Sequence, residues 1–470
     1  MSPTGQPKRS NLFARSALGI ALAFGVVAGG AVISCPAAVA KDKKAPKLSF
    51  SKGFVAVAGP AQAAIEKAKG RSDVEAAKAQ LNAALQSRDE QQIATARAAV
   101  SAAIAPETAQ LDQAFAAIEN EDDRFLAGTL AVNLGSIAGD SSLQRKGVKA
   151  MLASGKADPE SVPRFNSIAG QLAYQAGDYA EAHKYLQLAV DAGFTENNSE
   201  VLLAEAYIAD NQTTQGLSVL KDALAARKAS GSLAPEAWYR RGLATAYKAG
   251  MVGETAEFGG LLIKDYPQPA NVGVAVTILR EVGDFASQET LDLMRLMAHT
   301  NSYAEGRDYI EYIEAADPRR LPGEALAAIE AGLAAGKLDA SNTSVADWRN
   351  QAKGRIAADK ASLASYESDA RKANATEATV TGAADALLSY KEPAKAEELY
   401  TIALGKPGVD TPRVLTRLGI SQVDQGKYGA AQETFGKVTG KRASIAKLWS
   451  AYAASKAAPS AAPAAAPAAE

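Results

Sequence analysis

A spacing of about 34 residues, the length of a common helix-hairpin repeat, recurs in the middle of this chain. The segment "GDYAEAHKYLQLA" begins at Gly177, and a segment of similar character, "NQTTQGLSVLKDA", begins at Asn211. Residues of the same kind recur at the same phases: Ala182 and Gly216, Leu186 and Leu220, Ala189 and Ala223. Such a period is typical of stacked helix hairpins, because one hairpin cannot bury its apolar face alone. The period therefore predicts an all-α solenoid, and it favours a binding surface over a catalytic pocket.

Composition agrees with helices that pack closely. Hydrophobic residues make up 47% of the 470 residues, yet aromatic residues make up only 6%. Much of the apolar content is therefore alanine, a strong helix former with little side-chain volume. The formal net charge is −1. Because nucleic-acid binding requires a basic face, this balance argues against nucleic acid as a partner.

The segment up to Ala40 has the pattern of a secretory signal peptide. A basic start containing Lys8, Arg9 and Arg15 precedes an apolar run over residues 17–33, and Ala-Val-Ala at 38–40 precedes a lysine-rich segment. A basic start, an apolar middle and small residues beside a cut are typical of export signals. We expect cleavage after Ala40 and a periplasmic protein in a bacterium.

Two other interpretations of the leader stay open. The uncharged stretch between Arg15 and Lys41 is long enough to cross a bilayer as an uncleaved anchor. Cys35, the one cysteine of the chain, follows Val-Ile-Ser in a loose resemblance to a bacterial lipobox, which would make the chain a lipoprotein. We expect contact with a membrane only if the leader is uncleaved or Cys35 is lipidated. All three interpretations place the folded part outside the cytoplasm.

The rest of the chain reads as helices separated by turns, with apolar residues recurring near a helical period. An alanine- and proline-rich segment, typical of an extended spacer, ends the chain. The predicted organisation is a signal peptide (1–40), a disordered entry (41–59), a helical region of diverged repeats or a cap (60–158), regular repeats (159–267), irregular helical repeats (268–380), further repeats with a closing helix (381–456) and a disordered tail (457–470).

The regular segments resemble tetratricopeptide repeats, which pair two antiparallel helices per repeat of about 34 residues and place small residues where the helices cross. The residues at repeat positions 8, 20, 24 and 27 are Gly170, Ala182, Leu186 and Ala189, then Ala204, Gly216, Leu220 and Ala223, and near the C-terminus Gly419, Ala431, Phe435 and Val438. A third repeat ends at Pro267 but has Gly259 where an aromatic residue is expected. The resemblance implies a right-handed superhelix of antiparallel helix hairpins.

The same resemblance implies where a partner would bind. In that family the first helices of the repeats line a concave groove, and positions 2, 5, 9, 12 and 13 contact a protein or peptide. In this chain the corresponding residues are Arg164, Gln171, Tyr174, Gln175, Glu205, Arg240, Tyr247 and Lys248. The segment from Trp238 to Arg241, "WYRR", adds residue types that are enriched in binding hot spots.

No motif of covalent or cofactor chemistry is found in the sequence. The phosphate-loop and G-x-S-x-G patterns do not occur, and the two histidines, His183 and His299, are far apart in the chain and are interpreted as structural. We therefore expect no catalytic residue, no metal and no cofactor. The predicted function is an exported scaffold or adaptor for protein partners in the bacterial cell envelope, in assembly, secretion or polysaccharide export. The alternative is a component that acts on cell-wall glycan.

Overall fold

The described part of the chain is a succession of α-helices joined by short turns. The computed structural model describes residues 48–457, within which 22 α-helices and no strand occur. The chain divides into two compact units, one ending at Val219 and the other beginning at Leu220. In both units, consecutive helices pack against each other as hairpins. The predicted all-α architecture of helix hairpins is therefore confirmed.

The first unit begins with an arrangement that differs from simple stacking. Its helices are α1 (Lys52–Ala68), α2 (Ser72–Ser87), α3 (Glu90–Ala103), α4 (Ala105–Ala116), α5 (Glu121–Ala138), α6 (Ser141–Ala153), α7 (Val162–Gln175), α8 (Tyr179–Asp191) and α9 (Ser199–Ala209), and the division falls within α10 (Thr213–Ala229). α1 packs against α4 and α5, while α2 and α3 form a hairpin between them. From α5 onwards the pairs α5–α6 and α7–α8 follow in sequence.

The predicted disordered entry over 41–59 is wrong from Lys52 onwards, because α1 begins there and runs through Pro60. The Ser51 side chain caps this helix by accepting from the Phe54 amide, and its hydroxyl donates to Asp123 on α5 at 2.7 Å. Pro60 lies on the exposed side of α1, where water can satisfy the carbonyl that loses its partner. The predicted signal peptide and tail residues 458–470 lie outside the described residues.

Small residues at the helix crossings hold the hairpins together. A methyl group on Gly170 in α7 would lie 2.5 Å from Cγ of Leu186 in α8. Ala182 and Ala189 of α8 are fully buried on the same side. Such contacts leave no room for a side chain at the crossing, so glycine allows the two backbones to approach closely. The predicted role of the small residues at repeat positions 8 and 20 is confirmed for this hairpin.

The second unit contains twelve helices after α10. They are α11 (Glu236–Lys248), α12 (Val252–Asp265), α13 (Pro269–Gly283), α14 (Ser287–Thr300), α15 (Gly306–Ala316), α16 (Pro322–Ala334), α17 (Thr343–Ala370), α18 (Glu377–Ser389), α19 (Pro393–Leu404), α20 (Thr411–Asp424), α21 (Tyr428–Phe435) and α22 (Arg442–Ala457). α17 is 28 residues long and buries few of its side chains.

The C-terminal helix closes the second unit on itself. α22 packs against its sequence neighbour α21, and it also packs along α12 and contacts α14 and α20. One continuous apolar core therefore extends from Ala256 to Ala453 and includes the fully buried Trp449. The segment predicted as a closing helix forms α22, and its contact with α12, far away in the chain, closes the interior of the unit.

We expect Gly419→Ala to destabilise the second unit by about 1–3 kcal/mol, because its new methyl group would lie 2.4 Å from the Phe435 ring. The matched control is Gly354→Ala in α17, where the methyl group meets no neighbouring atom. That variant should gain roughly 0.5–1 kcal/mol from alanine's helix propensity. Urea unfolding followed by circular dichroism measures both. Equal stability of the two variants would contradict the close crossing of α20 and α21 at Gly419.

Candidate functional site

Four of the predicted partner-contacting residues share one side of α7. Arg164 and Gln175 are exposed, and Gln171 and Tyr174 are half-buried. The opposite face of the helix is buried against α8. The Tyr174 ring lies 5.4 Å from the Tyr179 ring at the start of α8. This set, which we call the α7 face, is a partly exposed stripe on a helix whose position is set by the tight crossing at Gly170, and its Tyr174 packs against the neighbouring core.

Glu205, the predicted contact residue on α9, does not lie on a surface. Its side chain is only 5% exposed, and α9 is buried from Ser199 to Ala206. The prediction for Glu205 is therefore wrong, because neighbouring helices cover this stretch of α9. His183 has the structural role expected of it: its ring stacks on Tyr207 at 4.5 Å, and its Nε2 lies 3.2 Å from the Asp210 carboxylate.

The three predicted residues of the second unit lie on α11, and two of them are held by the chain itself. The Tyr247 hydroxyl donates to Glu281 on α13 at 2.8 Å. Arg240 donates to Glu236 at 2.6 Å and also to Asn271 at the start of α13. Lys248 is exposed at the end of α11. A partner would have to compete with these internal bonds, so α11 is a weaker candidate surface than the α7 face.

The repeat phase of α11 and α12 differs by one position from the prediction. Gly242 on α11 packs on the ring of Phe258 on α12. These two residues are 16 positions apart in the sequence, and the same separation is found between Gly170 and Leu186 and between Gly419 and Phe435. Phe258 therefore fills the aromatic position that the sequence analysis assigned to its neighbour, Gly259.

The shift also affects the tyrosines of the two first helices. Tyr247 lies one position after the place in its repeat that Tyr174 occupies, when each is counted from the glycine at the crossing. Tyr174 and Tyr247, both predicted to contact a partner, therefore do not occupy the same repeat position.

The aromatic residues of the "WYRR" segment belong to the core. Trp238 is 6% exposed, and the Arg227 guanidinium lies 5.2 Å from the centre of its ring. Tyr239 is fully buried, and its hydroxyl donates to Asp265 at 2.9 Å. These residue types are frequent in binding hot spots, but here they fill the space between helices.

A buried charge cluster that the sequence did not reveal lies inside the second unit. Asp292 on α14 is fully buried. Its carboxylate accepts from Arg295 at 3.0 Å, from Arg417 at 3.1 Å and from Arg442 at the start of α22. Its backbone carbonyl accepts from the Trp449 indole at 2.8 Å. Asp292 thus joins α14, α20 and α22 at one point, across separations of 125 to 157 residues.

Two further buried carboxylates complete the cluster. Glu324 on α16 accepts two bonds from Arg295, at 2.7 and 2.8 Å. Asp385 on α18 accepts from Arg417 at 2.6 Å and from the Tyr400 hydroxyl at 2.7 Å. Three buried acids therefore face three buried guanidiniums. Such pairing is required, because an isolated buried charge is very costly.

The arginines keep these carboxylates ionised. Burial acts to raise the pKa of Asp385, but the charges of Arg417 and Arg413 outweigh it and lower the pKa to about 2. Burial likewise acts to raise the pKa of Asp292 and Glu324, and nearby arginines lower both. A general acid needs a carboxyl group that stays protonated near neutral pH. These ionised groups lack that property.

Beside this cluster, residues of α14 to α18, α20 and α22 line a pocket of about 480 Å³. Arg295, Glu324 and Tyr312 line its depth together with the pair of His299 and Asp424, whose Nδ1 and Oδ1 lie 3.2 Å apart. His299 also contacts the Tyr452 ring edge-on at 5.2 Å. His299, interpreted from the sequence as structural, therefore also lines this pocket.

Neither a metal site nor a membrane span is found between residues 48 and 457. No group of three His, Cys, Asp or Glu side chains in this part of the chain is placed to hold a metal ion. No helix in the same residues is both long and apolar enough to cross a bilayer.

Comparison with known proteins adds little to this description. Neither a protein-family model nor a curated protein matches the chain. Among solved structures it is similar to the human IFIT1 dimer with m7Gppp-AAAA, at 12% identity over 85% of this chain and 96% of that chain, with a TM-score of 0.21. The human IFIT1 dimer with PPP-AAAA is similar at 13% identity, with the same coverage and TM-score. Scores this low carry no argument about function.

We expect Asp385→Asn to destabilise the second unit at neutral pH by about 3–5 kcal/mol, because it leaves Arg417 short of a counter-charge. The native pKa of Asp385 is below its ordinary value of 3.8. Its ionisation therefore stabilises the fold above pH 3.8, and this contribution, about 2 kcal/mol, is lost as the pH falls to about 2.

Urea unfolding at pH 7 and at several values between pH 4 and 2 measures both effects. The variant should lose less stability across the acid range than the native chain does. Asp347→Asn, at an exposed position of α17, is the control and should behave as the native chain. An unchanged acid dependence in Asp385→Asn would contradict the assigned pKa.

Proposed function

We propose that this protein is a non-catalytic, exported scaffold of tetratricopeptide-like helix hairpins that binds a protein or peptide partner in the bacterial cell envelope. The observation that carries the proposal is the α7 face, where Arg164, Gln171, Tyr174 and Gln175 lie outside the buried side of a tightly packed hairpin. Arginine and tyrosine are enriched among residues that dominate binding energy. A stripe of this kind lies on a rigid helix. It can therefore bind an extended segment or a helix without the free-energy cost of first ordering its own residues.

The buried carboxylates of the second unit support a role without catalysis. The buried carboxylates Asp292, Glu324 and Asp385 are all bound to arginines, and their pKa values are lowered. An acid that cleaves a glycosidic bond requires a raised pKa instead. Release of soluble muropeptides from peptidoglycan by the purified chain would contradict this part of the proposal and favour the cell-wall glycan alternative.

The proposal of export rests on the leader pattern. The same pattern predicts the N-terminus of the mature protein. We expect N-terminal sequencing of the protein from its native host to begin at Lys41, the residue after the small residues at 38–40. A chain that starts at Cys35 and carries a lipid would support the lipoprotein interpretation. A chain that retains its apolar segment and fractionates with membranes would support the anchor.

The partner surface predicts a position-dependent crosslink. A photoreactive amino acid at Gln175 should capture a discrete partner in the native host, whereas the same group at the exposed Lys184 on α8 should not. With the captured protein purified, Arg164→Ala should weaken binding at least about tenfold, as expected for a hot-spot residue, and Lys184→Ala should leave it unchanged. Equal capture at both positions, or equal affinity of both alanine variants, would refute the proposal that the partner binds the α7 face.

A further inference from the structure

The pocket of the second unit has a chemical character that is independent of the α7 face. Its depth is built from groups that already have partners in the chain. Arg295 donates two bonds to Glu324, and the Tyr312 hydroxyl donates to the same carboxylate at 2.7 Å. His299 pairs with Asp424. The acceptors at the floor of the pocket are therefore occupied.

The charged groups of the lining that remain for a ligand are cations. Lys360 on α17 and Lys391 after α18 line the pocket and are exposed. Lys360 lies over the Tyr390 ring, with its ammonium 5.6 Å from the ring centre. Within residues 48–457 neither ammonium forms an ion pair with a carboxylate, although the charge of Lys391 contributes to lowering the pKa of Glu324. Two cations at the mouth of a pocket attract an anion.

Tyr303 adds a third donor to the pocket. Its ring stacks on Tyr309 at 4.2 Å, which holds the side chain in place. Burial raises the pKa of Tyr303, so the phenol stays protonated and can donate a hydrogen bond. In the described part of the chain the hydroxyl forms no hydrogen bond to another residue. A hydroxyl in this position is suited to a negatively charged acceptor, since such bonds are stronger than neutral ones.

The charge and volume of the pocket limit the ligand further. Its lining includes three cations, Arg295, Lys360 and Lys391, and two acids, Glu324 and Asp424, so one positive charge is in excess. The two acids oppose a ligand with two negative charges. The volume of about 480 Å³ is much larger than a single ion requires and falls in the range of small-molecule sites. Apolar side chains such as Ile356, Leu388 and Ile420 supply part of the wall.

We propose that this pocket binds a small organic monocarboxylate, with the carboxylate held by Lys360, Lys391 and Tyr303 and the neutral remainder placed against the apolar wall. The proposal does not rest on the partner surface of α7. Failure of one would leave the other standing.

The test uses the full chain and three pairs of probes of matched shape: D-glucuronate with D-glucose, benzoate with benzamide, and N-acetylalanine with its amide. Saturation-transfer NMR titration over the millimolar range measures the dissociation constants. We expect at least one carboxylate to bind saturably and at least about tenfold more tightly than its neutral partner, as one charge-assisted contact allows. Inorganic phosphate and D-glucose 6-phosphate should bind more weakly than that carboxylate.

Variants assign the binding to this pocket. Lys360→Gln combined with Lys391→Gln should weaken carboxylate binding at least about tenfold, and Tyr303→Phe should weaken it by a smaller factor. Lys395→Gln, an exposed lysine on α19 that does not line the pocket, is the control and should bind as the native chain. The proposal is overturned if no carboxylate binds saturably, if carboxylates and neutral probes bind equally, if phosphates bind best, or if the double variant binds as the native chain does.

Discussion

The second unit depends on the buried carboxylate of Asp292. Three arginines reach it from α14, α20 and α22, and the Trp449 indole binds its backbone carbonyl. Buried ion pairs add little net stability compared with apolar packing, but the loss of one partner costs several kcal/mol. An arrangement of helices that leaves any of these buried charges unpaired is therefore strongly disfavoured. The cluster selects the packing in which α22 returns to α12 and α14, and that packing encloses the pocket.

The hairpins obey a simpler constraint. At Gly170, Gly242 and Gly419 a side chain would collide with Leu186, Phe258 or Phe435 on the paired helix. The small residue and the large residue thus act together, one allowing close approach and the other filling the layer. This local rule repeats along the chain without any long-range contact. It accounts for the hairpins, whereas the charge cluster accounts for the closure of the second unit.

The two kinds of constraint explain where the structure places the predicted site residues. The α7 face follows from helical phase, which is local, and the structure places its four residues together on one side of the helix. Glu205 was misassigned because its burial depends on neighbouring helices. Gly259 does not occupy the aromatic position of its repeat, because the helix crossing pairs Gly242 with Phe258. The pocket was missed because its lining residues are spread from Arg295 to Trp449 and share no motif.

The sequence by itself determined the helices, the pairing of neighbours into hairpins, and the residues at their crossings, since these depend on propensity and on contacts a few turns apart. It also contains the leader pattern on which the proposed location rests. Only the tertiary structure decided that α22 packs on α12, that Asp292 meets Arg417 and Arg442, and that a pocket forms beside them. These contacts join residues more than a hundred positions apart, and no periodicity or spacing in the chain encodes which of the many acids and arginines will meet.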